Sequence, residues 1–228
     1  MLIELYDSLK KISEKWFQHI KYKSEIENNE DITWYNDFFI NPSVRYGHLE
    51  YFRSNNGKIE VLHSTFFPSY FKNLPIYGFD VIALNNIVTG IFCDFTNCLE
   101  ENPLLTKSLK EIKNKYKDYE RKLPEWANFF SKDFVCIAPK DLNKEELIKD
   151  FIHLFELYVM QAEWCNTNGF YHLSRRDVLK SIELQNNYSI NQRKNDKTFK
   201  ALSSYIGSDK AREFIDTVLF PTYQSNAA

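Results

Sequence analysis

Three stretches carry side chains able to move protons. The first is His48-Leu49-Glu50. The second runs from Leu62-His63-Ser64-Thr65-Phe66-Phe67-Pro68 into Leu74-Pro75-Ile76-Tyr77-Gly78-Phe79-Asp80-Val81-Ile82-Ala83. The third is Lys194-Asn195-Asp196-Lys197-Thr198. Asp80 stands among Phe79, Val81, Ile82 and Ala83, where a carboxylate is costly unless it is hydrogen-bonded, paired or facing a pocket. His63 ends a neighbouring apolar run. If the two runs pair as strands, His63, Asp80 and Glu50 can face one cleft. Burial pushes a carboxyl above its usual value of about 3.9, and an imidazole near about 6.5 can share its proton. Such a coupled pair is a proton donor suited to neutral pH.

Each residue also has a plainer reading. A lone strand aspartate more often binds a nearby backbone amide. A lone histidine at a strand end is more often structural, and Glu50 alone reads as a solvated strand residue. Asn195-Asp196-Lys197-Thr198 alone reads as a polar helix start. Spacing leaves these alternatives open.

Other chemistry lacks its motifs. There is no G-x-G-x-x-G after a strand, no Walker loop, no G-x-S-x-G and no His-Glu-x-x-His. Cys93, Cys98, Cys136 and Cys165 show neither C-x-x-C pairs nor histidines at zinc-ligand spacing. They read as reduced, buried thiols of a cytoplasmic protein, and their spacing excludes the common iron–sulfur clusters. A redox enzyme built from this sequence would take electrons directly from outside.

The elements that would hold these residues follow from periodicity. Leu2, Leu5, Leu9, Ile12, Trp16 and Ile20 repeat at helical spacing over residues 2–21, predicting an amphipathic helix rather than a signal peptide. From 44 to 95 the pattern becomes strand-like. Arg45 to Arg53 leads through Asn55-Asn56-Gly57 to Lys58 to Phe67, and Ile76 to Leu84 turns at Asn85-Asn86 into Ile87 to Phe95. Strands joined by tight turns make an antiparallel meander. Helices are predicted over Leu104 to Tyr119, Asn143 to Trp164, Ser174 to Leu184, Arg193 to Ile206 and Asp209 to Leu219, with one more strand over Phe134 to Ala138. Asn143 and Glu146 have capping-box spacing. The fold class is α+β: a central antiparallel sheet flanked by helices on both faces. A single domain spanning 1–228 is expected, with a disordered tail after about residue 223.

The bulk composition fits. Net charge is -2 with pI about 6.2, which supplies no electrostatic footprint for nucleic acid. No apolar run approaches the roughly 20 residues of a membrane span. Aromatic residues make up 16%, enough either to fill a core or to wall a flat pocket for a large conjugated ligand.

The stretch LHSTFFPSYFKNLPIYGFDVIA resembles the core motif of the ferredoxin-dependent bilin reductases, with His63-to-Asp80 spacing like that of the phycocyanobilin-forming branch. Arg121-Lys122-Leu123-Pro124-Glu125-Trp126 followed by Phe130-Ser131 is similar too, as is Gln192 to Thr198 leading to Val218-Leu219-Phe220. The resemblance covers about residues 44 to 220. The short chain resembles the virus-encoded offshoot of that branch. The resemblance implies a three-layer α/β/α sandwich holding biliverdin IXα between the sheet and the C-terminal helices. It implies no bound cofactor, metal or flavin, and reduced ferredoxin as the external electron donor. Asp80 and His63 would be the central proton donors, and Glu50 the carboxylate serving a vinyl group on an end ring. Asn195 and Asp196 would face the pigment from the helical side. Arg121 and Lys197 would pair with its propionates, a task guanidinium performs with two parallel hydrogen bonds. Thr89 and His48 complete the implied substrate contacts.

The implied product is phycoerythrobilin by way of 15,16-dihydrobiliverdin, with phycocyanobilin as the alternative. A non-catalytic bilin carrier on the same fold and an α+β interaction domain without a ligand are the competing classes. An acidic ferredoxin would be steered by basic groups near the pocket mouth, with Lys72, Arg175, Arg176, Arg193 and Lys194 as candidates. Nothing in the sequence demands more than a monomer.

Overall fold

The computed structural model describes residues 2–21, 28, 30–123, 125–139, 144–168 and 173–223. Helix α1 (Leu2–Trp16) leads through a short strand β1 (Gln18–Ile20) to β2 (Ile32–Asn41), β3 (Val44–Ser54), β4 (Ile59–Pro68), β5 (Ile76–Leu84) and β6 (Ile87–Thr96). Helix α2 (Pro103–Lys115) and a 3₁₀ segment (Glu125–Phe129) precede β7 (Val135–Ile137). Helices α3 (Lys144–Asn168), α4 (Arg175–Gln192), α5 (Asp196–Ile206) and α6 (Ser208–Phe214) follow, the last continuing as a π-helical turn (Ile215–Leu219). The seven strands form one antiparallel sheet whose spatial order is their order in the chain.

The tight turns fall where their residues predict. Asn85 and Asn86 take φ of 51° and 63° between the paired Leu84 and Ile87, the left-handed pair a two-residue hairpin requires. Gly57, at φ 71°, serves the β3–β4 turn.

Strand alternation then sends side chains to two cores. One face carries Leu49, Leu62, Phe66, Phe79 and Val81 into a cluster with α1, α2 and α3. There Phe66 is fully buried and touches the rings of Phe17, Tyr77, Phe155 and Tyr158. The other face carries Trp34, Phe52, Phe67 and Ile76 into a cluster with Tyr188 of α4, Leu202 of α5 and Phe214 of α6. Helices on both faces make the three-layer α/β/α sandwich expected from the sequence.

Several boundaries differ from expectation. Residues 2–21 do not form one helix: α1 ends at Trp16, and 18–20 pair with Phe38 to Ile40 as an edge strand. His19 Nε2 lies 2.8 Å from Asp37 Oδ1, tying β1 to β2. Strand β2 was not foreseen, because it is covered on both faces. Trp34 and Phe38 are buried on one side and Asp37 and Phe39 on the other, which erases a period of two. Helix α4 runs to Gln192, past Leu184, and α5 starts at Asp196, so Arg193 lies between helices rather than opening one. The proposed cap at Asn143 and the tail after Tyr223 lie outside the described residues. Among the described residues, no helix is long and apolar enough to cross a membrane.

Candidate active site

The register of the meander assembles the site. Glu50 of β3 opposes His63 of β4, and His63 opposes Asp80 of β5. The three side chains therefore form a row on the face beneath α4 to α6. His63 Nδ1 lies 2.6 Å from Asp80 Oδ1, and His63 Nε2 lies 3.0 Å from the Thr65 hydroxyl. Trp34 Nε1 donates to Glu50 Oε1 at 2.6 Å. His48, two residues from Glu50 on the same face, sets its Nε2 2.9 Å from Asn36 Oδ1 and stacks on Phe38. Its buried Nδ1 has no hydrogen-bond partner among the described residues.

Burial divides the groups. Glu50 is 4% and His63 6% exposed, whereas the Asp80 side chain is 35% exposed. The sequence suggested Asp80 as the buried acid, but burial falls on Glu50. Removal from water pushes the Glu50 carboxyl up to about 7, against the opposing pull of His63 and the Trp34 hydrogen bond. His63 loses water as well, but the Asp80 carboxylate and then Glu50 outweigh this and raise its pKa. His48 is held far below the ordinary histidine range by burial and by its neighbour His63. Its Nε2–H therefore donates to Asn36, and Nδ1 keeps a lone pair. The row thus holds a neutral imidazole, an imidazole with raised basicity, and a carboxyl balanced between its two states near neutral pH.

Two aromatic rings cover the row from the helical side. Phe220 packs edge-to-face with His63 at 5.8 Å between ring centres, and Phe214 does the same with His48 at 6.3 Å. They bracket the π-helical turn Ile215–Leu219, whose carbonyls are gripped from outside. Arg193 donates to the Asp216 and Phe220 carbonyls at 2.9 and 2.6 Å, and Tyr46 donates to the Val218 carbonyl at 2.6 Å. Arg193 is therefore a fastening of this turn, not a free docking cation. Lys72 is likewise committed, donating to the Cys165 carbonyl at 2.7 Å. An apolar hollow of about 20 Å³, lined by Leu5, Phe79, Val81 and Phe151 among others, lies on the opposite face. It has room for about one water and none for a large ligand.

The remaining predicted residues separate into two places. Arg121 donates to the Thr89 carbonyl at 3.2 Å, and the Thr89 hydroxyl to the Ile82 carbonyl at 3.3 Å. Ile82 lies two residues from Asp80 on β5, so both sit at the end of the strand pair that carries Asp80. Gly90 makes this possible: a Cβ there would lie 3.0 Å from Arg121 Nη1 and 2.8 Å from the Phe92 ring. Asn195, Asp196 and Lys197 open α5. Asn195 caps the helix by accepting from Lys197 N, Asp196 pairs with Lys200 at 2.5 Å, and the Lys197 side chain is exposed. These contacts organise the helix start and do not join the row of Glu50, His63 and Asp80.

The sequence reading missed Trp34, Asn36 and the role of Thr65. Trp34 and Asn36 could have been found from the aromatic run Ile32 to Ile40. Placed as the strand before β3, that run puts both residues on the parity that faces His48 and Glu50.

An acid–imidazole pair with a second, half-titrated carboxyl beside it can supply protons in succession to a ligand laid on the sheet. Comparison with known proteins identifies the family. The family described as ferredoxin-dependent bilin reductase matches residues 8–221. The chain is 24% identical over 186 residues to a phycocyanobilin:ferredoxin oxidoreductase of Prochlorococcus marinus (strain MIT 9515), covering 81% of this chain and 76% of that one. It is 26% identical over 206 residues to the protein of the same name from Prochlorococcus marinus strain SARG, covering 87% and 81%. Among solved structures, phytochromobilin synthase from tomato in complex with biliverdin superposes with a TM-score of 0.75 at 17% identity, covering 96% of this chain and 82% of that one. A structure named PcyX gives 0.66 at 23% identity, covering 98% and 100%. The solved structures establish the fold, and the match running through nearly the whole chain establishes the family: this protein is an oxidoreductase belonging to the ferredoxin-dependent bilin reductases.

Proposed function

We propose that this chain carries out a four-electron reduction of biliverdin IXα to phycoerythrobilin by way of 15,16-dihydrobiliverdin. Reduced ferredoxin supplies electrons one at a time, and the protein, acting as one cytoplasmic domain, supplies protons. The observation that carries the reading is the 2.6 Å contact between His63 and Asp80 on a sheet face walled by aromatic rings. Each reduction consumes two electrons and two protons, passing through a pigment radical after the first electron. The added electron makes the conjugated system more basic, and the His63/Asp80 pair protonates it. Asp80, partly exposed, is the member that water can reprotonate. The conjugated pigment holds the radical, so the protein needs only to position it and tune its proton donors.

In this reading the pigment lies along the row, and the segment bearing Phe214 and Phe220 shifts to seat it. Arg121 binds a propionate at the β5–β6 end with Thr89 beside it, and His48 contacts the pigment on the β3 side of the row. Lys197, Asn195 and Asp196 turn toward the pigment from α5 once it is bound. Phycocyanobilin is the second reading, favoured by the names of the relatives and by Glu50, a buried acid suited to a vinyl group.

The deciding assay is anaerobic turnover of biliverdin with reduced ferredoxin, with products separated and identified by absorption. Phycoerythrobilin after a dihydrobiliverdin intermediate is expected. Phycocyanobilin alone replaces the first reading with the second, and bound but unreduced pigment identifies a carrier.

A further inference from the structure

Glu50 receives a hydrogen bond from a group that can never accept one. Trp34 stands opposite Phe52 in the β2–β3 ladder, diagonal to Glu50, which is within the reach of an aromatic side chain. Its indole Nε1–H donates to Glu50 Oε1 at 2.6 Å, and both residues are only 4% exposed. The indole plane is fixed by edge contacts on Phe52 at 5.3 Å and on Phe214 at 4.9 Å, so the donor does not follow the carboxyl if it turns. Indole N–H is a donor only. Oε1 must therefore accept in both protonation states of Glu50, and because the carbonyl oxygen of a carboxylic acid accepts better than its hydroxyl oxygen, the proton is favoured on Oε2.

We infer that Trp34 is a positioning residue that decides which oxygen of Glu50 holds, and therefore gives up, its proton. When that proton leaves, Glu50 becomes a carboxylate still anchored through Oε1, and it regains the proton from water at the same oxygen. Among the described residues, the titratable groups facing Glu50 are His63 from β4, Asp80 from β5 and His48 from its own strand. Strand β2 contributes the neutral Trp34 and Asn36, and α6 contributes Phe214 behind the indole. No other group among these combines a fixed donor with contact to Glu50. The bearing of this on pigment chemistry rests on the bilin-reductase reading above: a carboxyl that protonates from one oxygen reaches one carbon of the substrate rather than two.

Two measurements without pigment test the inference. In wild-type protein, one of the four tryptophan indole N–H proton resonances should move as pH passes the Glu50 midpoint near 7, and that movement should vanish in Glu50→Gln. In Trp34→Phe, the infrared carbonyl band that Glu50→Gln abolishes should rise in frequency. Its titration midpoint should rise by about one pH unit, the loss expected when a donor to the charged form is removed. Trp34→His, which restores a ring N–H, should recover part of both shifts. An indole spectrum blind to the Glu50 titration, or a band and midpoint unchanged in Trp34→Phe, overturns the inference. If Trp34→Phe fails to fold, the comparison of wild type with Glu50→Gln decides alone. Neither readout needs biliverdin, so failure here leaves the bilin-reductase reading standing, and failure of that reading leaves this result intact.

Discussion

His63 and Asp80 are direct partners in the β4–β5 ladder, and their side chains meet at 2.6 Å on the face beneath the C-terminal helices. Cross-strand pairing by itself brings the imidazole and the carboxylate together, with Asp80 as the wetter of the two. Most of the chemistry expected of this protein turns on that asymmetry.

Replacing Asp80 by Asn keeps the shape and a hydrogen-bond acceptor for His63 but removes the charge and the exchangeable acid proton. Biliverdin binding should stay near wild type, while protonation of the one-electron-reduced pigment slows by about 100-fold or more. Single-turnover absorption spectra should show a coloured radical that accumulates and persists. Turnover at the wild-type rate would remove Asp80 from the proton path.

The raised basicity of His63 sets a pH dependence. Burial lowers its pKa, and the Asp80 and Glu50 carboxylates more than reverse this. Its protonated form persists above the ordinary value of about 6.5. The rate of radical protonation should therefore be flat at low pH and fall as pH rises through the shifted value. In Asp80→Asn the fall should begin at lower pH. Linkage has the same sign: the stability contributed by His63 is complete below the unfolded-state pKa and is lost as pH rises through the folded one.

Glu50 should dominate the acid side of the stability profile. Its folded pKa of about 7 exceeds the ordinary 4.5, so the native state binds the proton more tightly than the unfolded chain. Stability is greatest below about pH 4.5 as far as this group is concerned, and it declines as pH rises to 7, by on the order of 3 kcal/mol. Glu50→Gln should flatten that decline. Urea midpoints at pH 5 and pH 8 measure it, and equal slopes in the two proteins would contradict the assignment.

Gly90 guards the place of Arg121. Gly90→Ala puts a methyl group 2.8 Å from the Phe92 ring and 3.0 Å from the guanidinium, so both must move. Biliverdin affinity should weaken about tenfold, the loss expected for a misplaced charge-assisted contact. The pH profile of radical protonation should shift as well, because the displaced Phe92 is the cross-strand partner of Asp80. Titration of pigment absorbance measures the first effect and stopped-flow the second.

The row of Glu50, His63 and Asp80 was legible because two short-range signals agreed. Asn85-Asn86 and Asn56-Gly57 fix where β5 and β4 turn, and alternation then decides which side chains share a face. What stayed illegible came from positions where those signals cancel. Strand β2 buries Trp34 and Phe38 on one face and Asp37 and Phe39 on the other, so it carries no alternation to read. Ile20 continues the helical spacing of α1 but stands in an edge strand, because the pairing of 18–20 with β2 outweighs three more residues of helix. Arg193 looked like a free surface cation, yet its guanidinium grips the carbonyls of a turn some 23 residues away in the chain, a long-range contact that no local pattern announces. The start of α5 shows the reverse limit. Asn195 and Asp196 were read toward a ligand, while their visible contacts are those of a helix start.

The unbroken order of the meander has a consequence for how the protein comes into being. Glu50, His63 and Asp80 belong to three successive strands joined by two local connections, so the whole constellation is encoded in the stretch from β3 to β5. Such a hairpin pair closes small loops first and has low contact order, which favours its early formation during folding. The register that aligns the three side chains is therefore written into one short continuous stretch, and the C-terminal helices, which come later in the chain, add shelter and grip to it.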